Sequence, residues 1–330
     1  MAASNAGCST QTRDNALKLR RVEGILITDR FNESRLRSAM QYEPRAGDVF
    51  IMGFPKTGTT WLHFMVRRLL NKDDETPLES AAACAPGVSF LEIAGAGNVE
   101  SLRRPGAVIK THLLFENVRF SEKARYIYVL RNPYDTCVSF YHHLRKGSSR
   151  YSDMSFDDFF EQFIDGYVYP GDYFDHLTSW LGQRSKANFL FITYEDIVRD
   201  PRSSALRIAA FLDKRLEMTL SKDEAALDAF LQTTSADVMK AIFRDAYAAR
   251  QRDMASGSSH SKSANHNQIT SPCEPDERAS GRNIVRKAVV GDWKNYFSAS
   301  QTERMKAKMA STSVALKQLL DVLWKNAGMP

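Results

Sequence analysis

Residues 47–71, GDVFIMGFPKTGTTWLHFMVRRLLN, restrict the possible fold more than any other stretch. An apolar run of strand formers leads into a glycine-containing loop, and beyond it Trp61, Phe64, Met65 and Leu69 recur at helical spacing. A strand that turns directly into a helix aims backbone N–H groups and the positive end of the helix at one point, which is a phosphate cradle. In a nucleotide triphosphatase this loop reads G-x-x-x-x-G-K-[ST], with lysine after the second glycine to reach the β/γ-phosphates. Here Gly53 and Gly58 keep the spacing, but Thr59 stands in the lysine's place and Lys56 lies inside the loop. With the N–H groups of Thr57 to Trp61 turned to an anion, Lys56 would lie at the side of one phosphate, which suits a ligand whose transferred group hangs there.

The remaining patterns complete an α/β reading. GAVIKTHL, ARYIYVLRNPYD and NFLFITYEDIVRDP are short β-branched and aromatic runs closed by polar turns, each expected to be a parallel core strand. SFDDFFEQFIDGY, SALRIAAFLD and QTERMKAKMASTSVALKQLLDVLWKN carry helical periodicity. A chain of 330 residues, 43% hydrophobic, can bury a full core. The expectation is one α/β domain over 21–330, a central, mostly parallel sheet flanked by helices, behind a flexible N-terminus at 1–20. The serine-rich stretch 245–282 lacks apolar periodicity and reads as either a mobile lid or a disordered insertion.

Several function classes fall away. No signal-type segment and no run of about 18 apolar residues occurs, so no membrane role is expected. The four cysteines are scattered without a C-x-x-C, which favours a reducing cytoplasm over a disulfide framework. A net charge of +6 serves a small anionic ligand, and no basic run interleaved with aromatics points to nucleic acid. A kinase would place a Mg²⁺ carboxylate at a neighbouring strand end, whereas VIKTHL ends in Lys110 and His112 and YVLRNPYD in Arg131, so no metal is expected. A metal-dependent phosphotransferase and a catalytically silent nucleotide-binding relative stand as the alternatives.

Taken together, PKTGTTW, KTHL, VLRNPYDTCVSFYHH, TYED and RKAVVGDWKNYF resemble the cytosolic sulfotransferases, in order and spacing, from about Gly24 to the C-terminus. The resemblance implies transfer of the sulfonate of 3′-phosphoadenosine 5′-phosphosulfate (PAPS) to a hydroxyl or amine without metal, releasing 3′,5′-ADP. It places the 5′-phosphosulfate on Lys56, Thr57, Gly58, Thr59 and Thr60, and the adenine beside Trp61, Tyr194 and Thr234. The 3′-phosphate falls to Arg131, Ser139, Arg286, Lys287 and the backbone at Ala288. Lys110 and His112 match the catalytic pair. Phe31 in DRFNES and Phe90 and Ile93 in VSFLEI match acceptor-pocket positions, beside Lys110 and His112. Two aromatics favour a small phenol, phenolic amine or alcohol as acceptor, and Ile93 in place of a second aromatic of its block widens the pocket.

Elementary chemistry agrees with those roles. A histidine titrating near neutrality can take the proton of an attacking hydroxyl, and a loop lysine can neutralise the leaving phosphate as the bond breaks. In-line displacement between bound partners requires no covalent intermediate. Trp293, His142 and His143 read as packing residues. Three departures from the family pattern stand out. Ala288 and Ala236 replace a usual glycine and a usual aromatic. The dimer segment K-x-x-x-T-V-x-x-x-E is matched only by Lys294, Ser298, Ala299 and Glu303, so a homodimer is weakly supported.

Overall fold

Apolar runs rich in β-branched and aromatic residues bury both faces only when a sheet is covered on both sides. That is what the computed structural model of this chain shows; it describes residues 17–70, 90–101, 107–147, 151–242, 244 and 286–325. A ribbon of β1 (Arg20–Val22) and β2 (Ile25–Ile27) leads to α1 (Glu33–Met40), β3 (Val49–Met52) and α2 (Thr59–Leu70). Two short helices follow, α3 (Leu91–Ala94) and α4 (Ala96–Ser101), then β4 (Val108–Thr111) and β5 (Arg125–Leu130). Next come α5 (Pro133–Gly147), α6 (Phe156–Ile164), α7 (Tyr173–Leu181), β6 (Phe189–Thr193) and α8 (Tyr194–Arg199). Helices α9 (Pro201–Leu212), α10 (Lys214–Lys222), α11 (Glu224–Thr233), α12 (Ala299–Ala310) and α13 (Val314–Lys325) follow.

The four strands β4-β3-β5-β6 form one sheet, parallel throughout. Alternation along the strands sorts the core into two layers. Val49, Ile51, Ile127 and Val129 face an aliphatic layer with Leu62, Met65 and Val66 of α2 and Ile208 of α9. Phe50, Met52, Tyr126 and Tyr128 face an aromatic layer with Tyr134 of α5, Phe159 of α6 and Trp180 of α7. The expected fold is thus present, and the carboxyl ends of all four strands open on one edge, where open α/β sheets bind ligands.

Two boundaries differ from expectation. The C-terminal helical pattern divides at Ser311–Ser313, because three hydroxyl residues in succession compete for the backbone: Ser311 donates to the Lys308 carbonyl, Thr312 to that of Met309, and Ser313 accepts from the Leu316 N–H. The expected tail boundary at residue 21 falls within β1, and Leu17 is buried with its N–H on Gln162. The serine-rich stretch 245–282 lies outside the described residues. No described helix is long and apolar enough to cross a membrane.

Candidate active site

Leaving β3, the chain needs two conformations that only glycine adopts cheaply. A Cβ on Gly53 would meet the Val129 carbonyl at 2.4 Å, and one on Gly58, at φ +108°, would meet the Tyr194 ring at 2.8 Å. Between them Lys56 itself adopts φ 73°, a left-handed conformation carried by a non-glycine residue. Thr57 departs from the expected role: its hydroxyl and N–H both turn inward to the Phe54 carbonyl, at 2.8 and 3.3 Å, so it builds the loop rather than offering its N–H to an anion. Thr59 and Thr60 begin α2, and the Thr60 hydroxyl lies 3.5 Å from the Lys110 ammonium on β4.

On one side of this loop the proposed adenine residues come together. The Trp61 indole N–H donates to the Thr234 carbonyl at 2.8 Å, and its ring meets Tyr194 edge-on at 5.7 Å. The Thr234 hydroxyl donates to the Phe230 carbonyl, which leaves only its oxygen lone pairs for a base. Arg131, just after β5, stacks its guanidinium 4.2 Å from the Tyr194 ring centre and donates to Val289 O at 3.1 Å. Ser139 lies half-buried in the second turn of α5.

The segment carrying Arg286 and Lys287 is fastened beside Arg131 by carboxylates that sequence reasoning missed. Asp135, in the first turn of α5, accepts from Gly291 N at 2.7 Å, Trp293 N at 3.0 Å and Asn132 Nδ2 at 2.9 Å. Asn132 in turn donates from its backbone and side chain to Glu195 Oε1, at 2.9 and 2.7 Å. These residues lie within the very RNPYD, TYED and GDW blocks that carry the family resemblance, but their partners are distant in sequence. Asp292 pairs with both Arg286 and Lys287, the latter at 2.7 Å. Burial works against its ionisation, yet these hydrogen bonds and that of Asn295 outweigh it and hold its carboxyl at about 2. Ala288 sits at φ 59°, so the position expected to be glycine keeps a glycine-like backbone with a methyl added. Trp293 is buried against Tyr134, and His142 bonds the Tyr296 hydroxyl at 2.9 Å, as packing residues would.

On the other side, His112 follows β4, buried, with Nδ1 2.5 Å from the Gly53 carbonyl. A carbonyl can only accept, so Nδ1 carries the proton and Nε2 keeps a lone pair. Burial, reinforced by the Lys110 charge, holds the imidazole well below its usual range, so it is neutral at pH 7 rather than titrating near neutrality as the sequence suggested. Its ring meets Phe90 edge-on at 5.1 Å and Tyr169 at 6.3 Å, and Phe31 lies against Tyr169 at 4.3 Å and Phe90 at 6.4 Å. Phe31 and Phe90 are therefore gathered at His112 with Tyr169, which no sequence signal singled out. Ile93 packs half-buried against the same core. The Lys110 ammonium lies 4.3 Å over the Phe90 ring.

Lys56, Lys110, Arg131 and Arg286 converge closely enough to oppose one another's charge. Burial first, then Lys110, Arg131 and Arg286, bring the Lys56 ammonium down to about 7, and burial brings Lys110 to about 8 although Glu92 raises it. The Nε–H groups of Arg131 and Arg286 are buried donors with no hydrogen-bond partner among the described residues. Buried donors are almost always satisfied, so a cluster of cations with two orphaned guanidinium N–H groups fits a multiply charged anion.

The sulfotransferase domain family matches residues 46–318. Human sulfotransferase 1C2 is 30% identical over 311 residues, which cover 90% of this chain and 95% of the relative, and mouse sulfotransferase 1B1 is 31% identical over 287, covering 83% and 86%. Among solved structures, mouse sulfotransferase SULT7A1 complexed with PAP superposes with a TM-score of 0.63 at 28% identity, over 91% of this chain and 98% of that one. Strand, loop, cation cluster and these relatives agree, and the chain belongs to the sulfotransferase family as a PAPS-dependent sulfotransferase.

Proposed function

We propose that this enzyme sulfonates a hydroxyl of a small aromatic acceptor, with phenolic amines and bulkier alcohols also admitted, and releases 3′,5′-ADP in the cytoplasm. The observation that carries the reading is the placement of a neutral His112, open at Nε2, between a ring of aromatic side chains and the cation cluster. PAPS, when bound, supplies an activated sulfonate and a phosphate leaving group. Residues present fit it: orphaned donors on Arg131 and Arg286 suit the 3′-phosphate, with Ser139, Lys287 and the backbone at Ala288. Trp61, Tyr194 and Thr234 suit the base, and Gly58, Thr59, Thr60 and Lys56 the 5′-phosphosulfate, with Thr57 shaping the loop.

Within this arrangement each side chain has one task. Phe31, Phe90 and Tyr169 hold a flat ring and exclude water, and Ile93 leaves room at one side. His112 Nε2 receives the acceptor's proton, and the Gly53 carbonyl on Nδ1 steadies the imidazolium so formed. Lys56 and Lys110 place positive charge where negative charge grows as the bond to the leaving phosphate stretches. No step calls on a metal, so EDTA is expected to leave the rate unchanged.

His112→Ala is the direct test. With a simple phenol as acceptor, kcat is expected to fall on the order of 10²–10⁴-fold while 3′,5′-ADP binds as in the wild type. Undiminished kcat would remove His112 from the reaction, and absence of transfer by the wild type across phenols, amines and steroids would indicate a silent relative.

A further inference from the structure

The peptide of His112 is held at both ends by buried side chains that the transfer step does not use. Its N–H donates to Oε1 of Glu92, fully buried in α3, and the same oxygen accepts the Tyr169 hydroxyl at 3.1 Å. Its carbonyl accepts Nε2–H of His176, buried on α7, at 3.1 Å. The proton on His176 Nε2 leaves Nδ1 as acceptor, and there it takes the Tyr128 hydroxyl of β5 at 2.8 Å. With the ring bond to Gly53, three separate segments therefore fix one residue: α3, α7 and the loop after β3.

These supports are expensive to bury. Glu92 Oε2 has no hydrogen-bond partner among the described residues, and burial drives that carboxyl up to about 7. Burial likewise lowers His176 to about 4. Apolar residues would fill both positions at less cost, so the polar pair is better explained by what it holds than by what it stabilises.

We propose that Glu92 and His176 are positioning residues for proton transfer, each supported by a tyrosine hydroxyl and together fixing the peptide from which the His112 imidazole projects. The inference rests on His112 being the base. A misplacement of about 1 Å at a reacting group can lower a rate about 10²-fold, so small movements of this peptide suffice.

The test compares Glu92→Ala and His176→Phe with the glutamine replacements at the same sites, using His112→Ala as reference. Turnover with a phenol and calorimetric binding of 3′,5′-ADP are measured for each. Glu92→Ala and His176→Phe should lower kcat roughly 10–100-fold with nucleotide affinity unchanged. Glutamine at 92 still accepts from the His112 N–H, and glutamine at 176 still donates to its carbonyl, so both should recover most of the rate. Wild-type kcat in the Ala and Phe variants, glutamine variants as slow as those, or nucleotide affinity falling in step with kcat would each overturn the proposal. Should Glu92→Ala fail to fold, Tyr169→Phe removes only the hydroxyl on Glu92, and a kcat/KM equal to wild type there overturns it equally. A fast His112→Ala would instead refute the base itself, a separate failure from that of its supports.

Discussion

At the scale of single residues, the environment of His112 converts a common titrating side chain into one that is neutral throughout the physiological range. A base whose pKa is lowered stays competent at and above its ordinary value and is lost only as pH falls through the lowered one. The acid limb of kcat/KM for the acceptor is therefore expected below pH 6.5, and a limb at or above 6.5 in a pH–rate profile would contradict the burial argument. Ala288 presents the opposite case, a residue out of keeping with its backbone. Left-handed φ costs an ordinary residue about 1 kcal/mol, so Ala288→Gly should not lower the melting temperature as a glycine usually does, and 3′,5′-ADP should bind at least as tightly. Calorimetry and thermal melts on the one variant check both.

Among the elements, the strand ends do most to bring the candidate site together, and two of the four, those of β5 and β6, are tied by one carboxylate network. Asp135 joins the start of α5 to the backbone of Gly291 and Trp293, and Asn132 carries the tie to Glu195 after β6. Asp135→Ala should free the segment bearing Arg286 and Lys287, raising KM for PAPS several-fold while KM for the acceptor stays level. Equal changes in both constants would mean general loosening instead. This network also marks how far the sequence could be read. Strand β3, its loop and α2 were legible because pattern and chemistry lie within 25 consecutive residues, and Lys110, His112 and Arg131 because each closes a recognisable run. Asp135 and Glu195 sit inside quoted motifs, yet their function depends on partners such as Gly291, 156 positions from Asp135, which no local pattern announces. Tyr169 was invisible for the same reason: its value comes from Phe31 and His112, brought to it by the fold. The break in the C-terminal helical pattern was legible in principle, since Ser311, Thr312 and Ser313 are poor interior helix residues.

For the molecule as a whole, the proposed role of the cation cluster would link ligand binding to protons. A lysine lowered to about 7 in the free protein is only partly charged near neutrality and should regain its proton when phosphates arrive. Affinity for 3′,5′-ADP should accordingly fall about tenfold from pH 7 to pH 9, with net proton uptake at pH 7.5 seen as a buffer-dependent calorimetric enthalpy. In the free enzyme the sign runs the other way: lysines depressed in the folded state bind fewer protons than the unfolded chain between about 7 and their ordinary value, so these groups make folding more favourable as pH rises through that window. An enthalpy independent of buffer would exclude the linkage. Asp292 gives the same cluster a selective sense. If Arg286 and Lys287 take the 3′-phosphate as proposed, an adenine nucleotide without one would meet two cations whose charge Asp292 already answers, and would draw little attraction from them. Only a ligand able to outbid or share that carboxylate gains from the pair, so removing the carboxylate should help ATP more than 3′,5′-ADP. Asp292→Asn is expected to narrow the affinity gap between the two nucleotides, which would make a single acidic side chain the means by which this enzyme ignores the far more abundant currency of the cell.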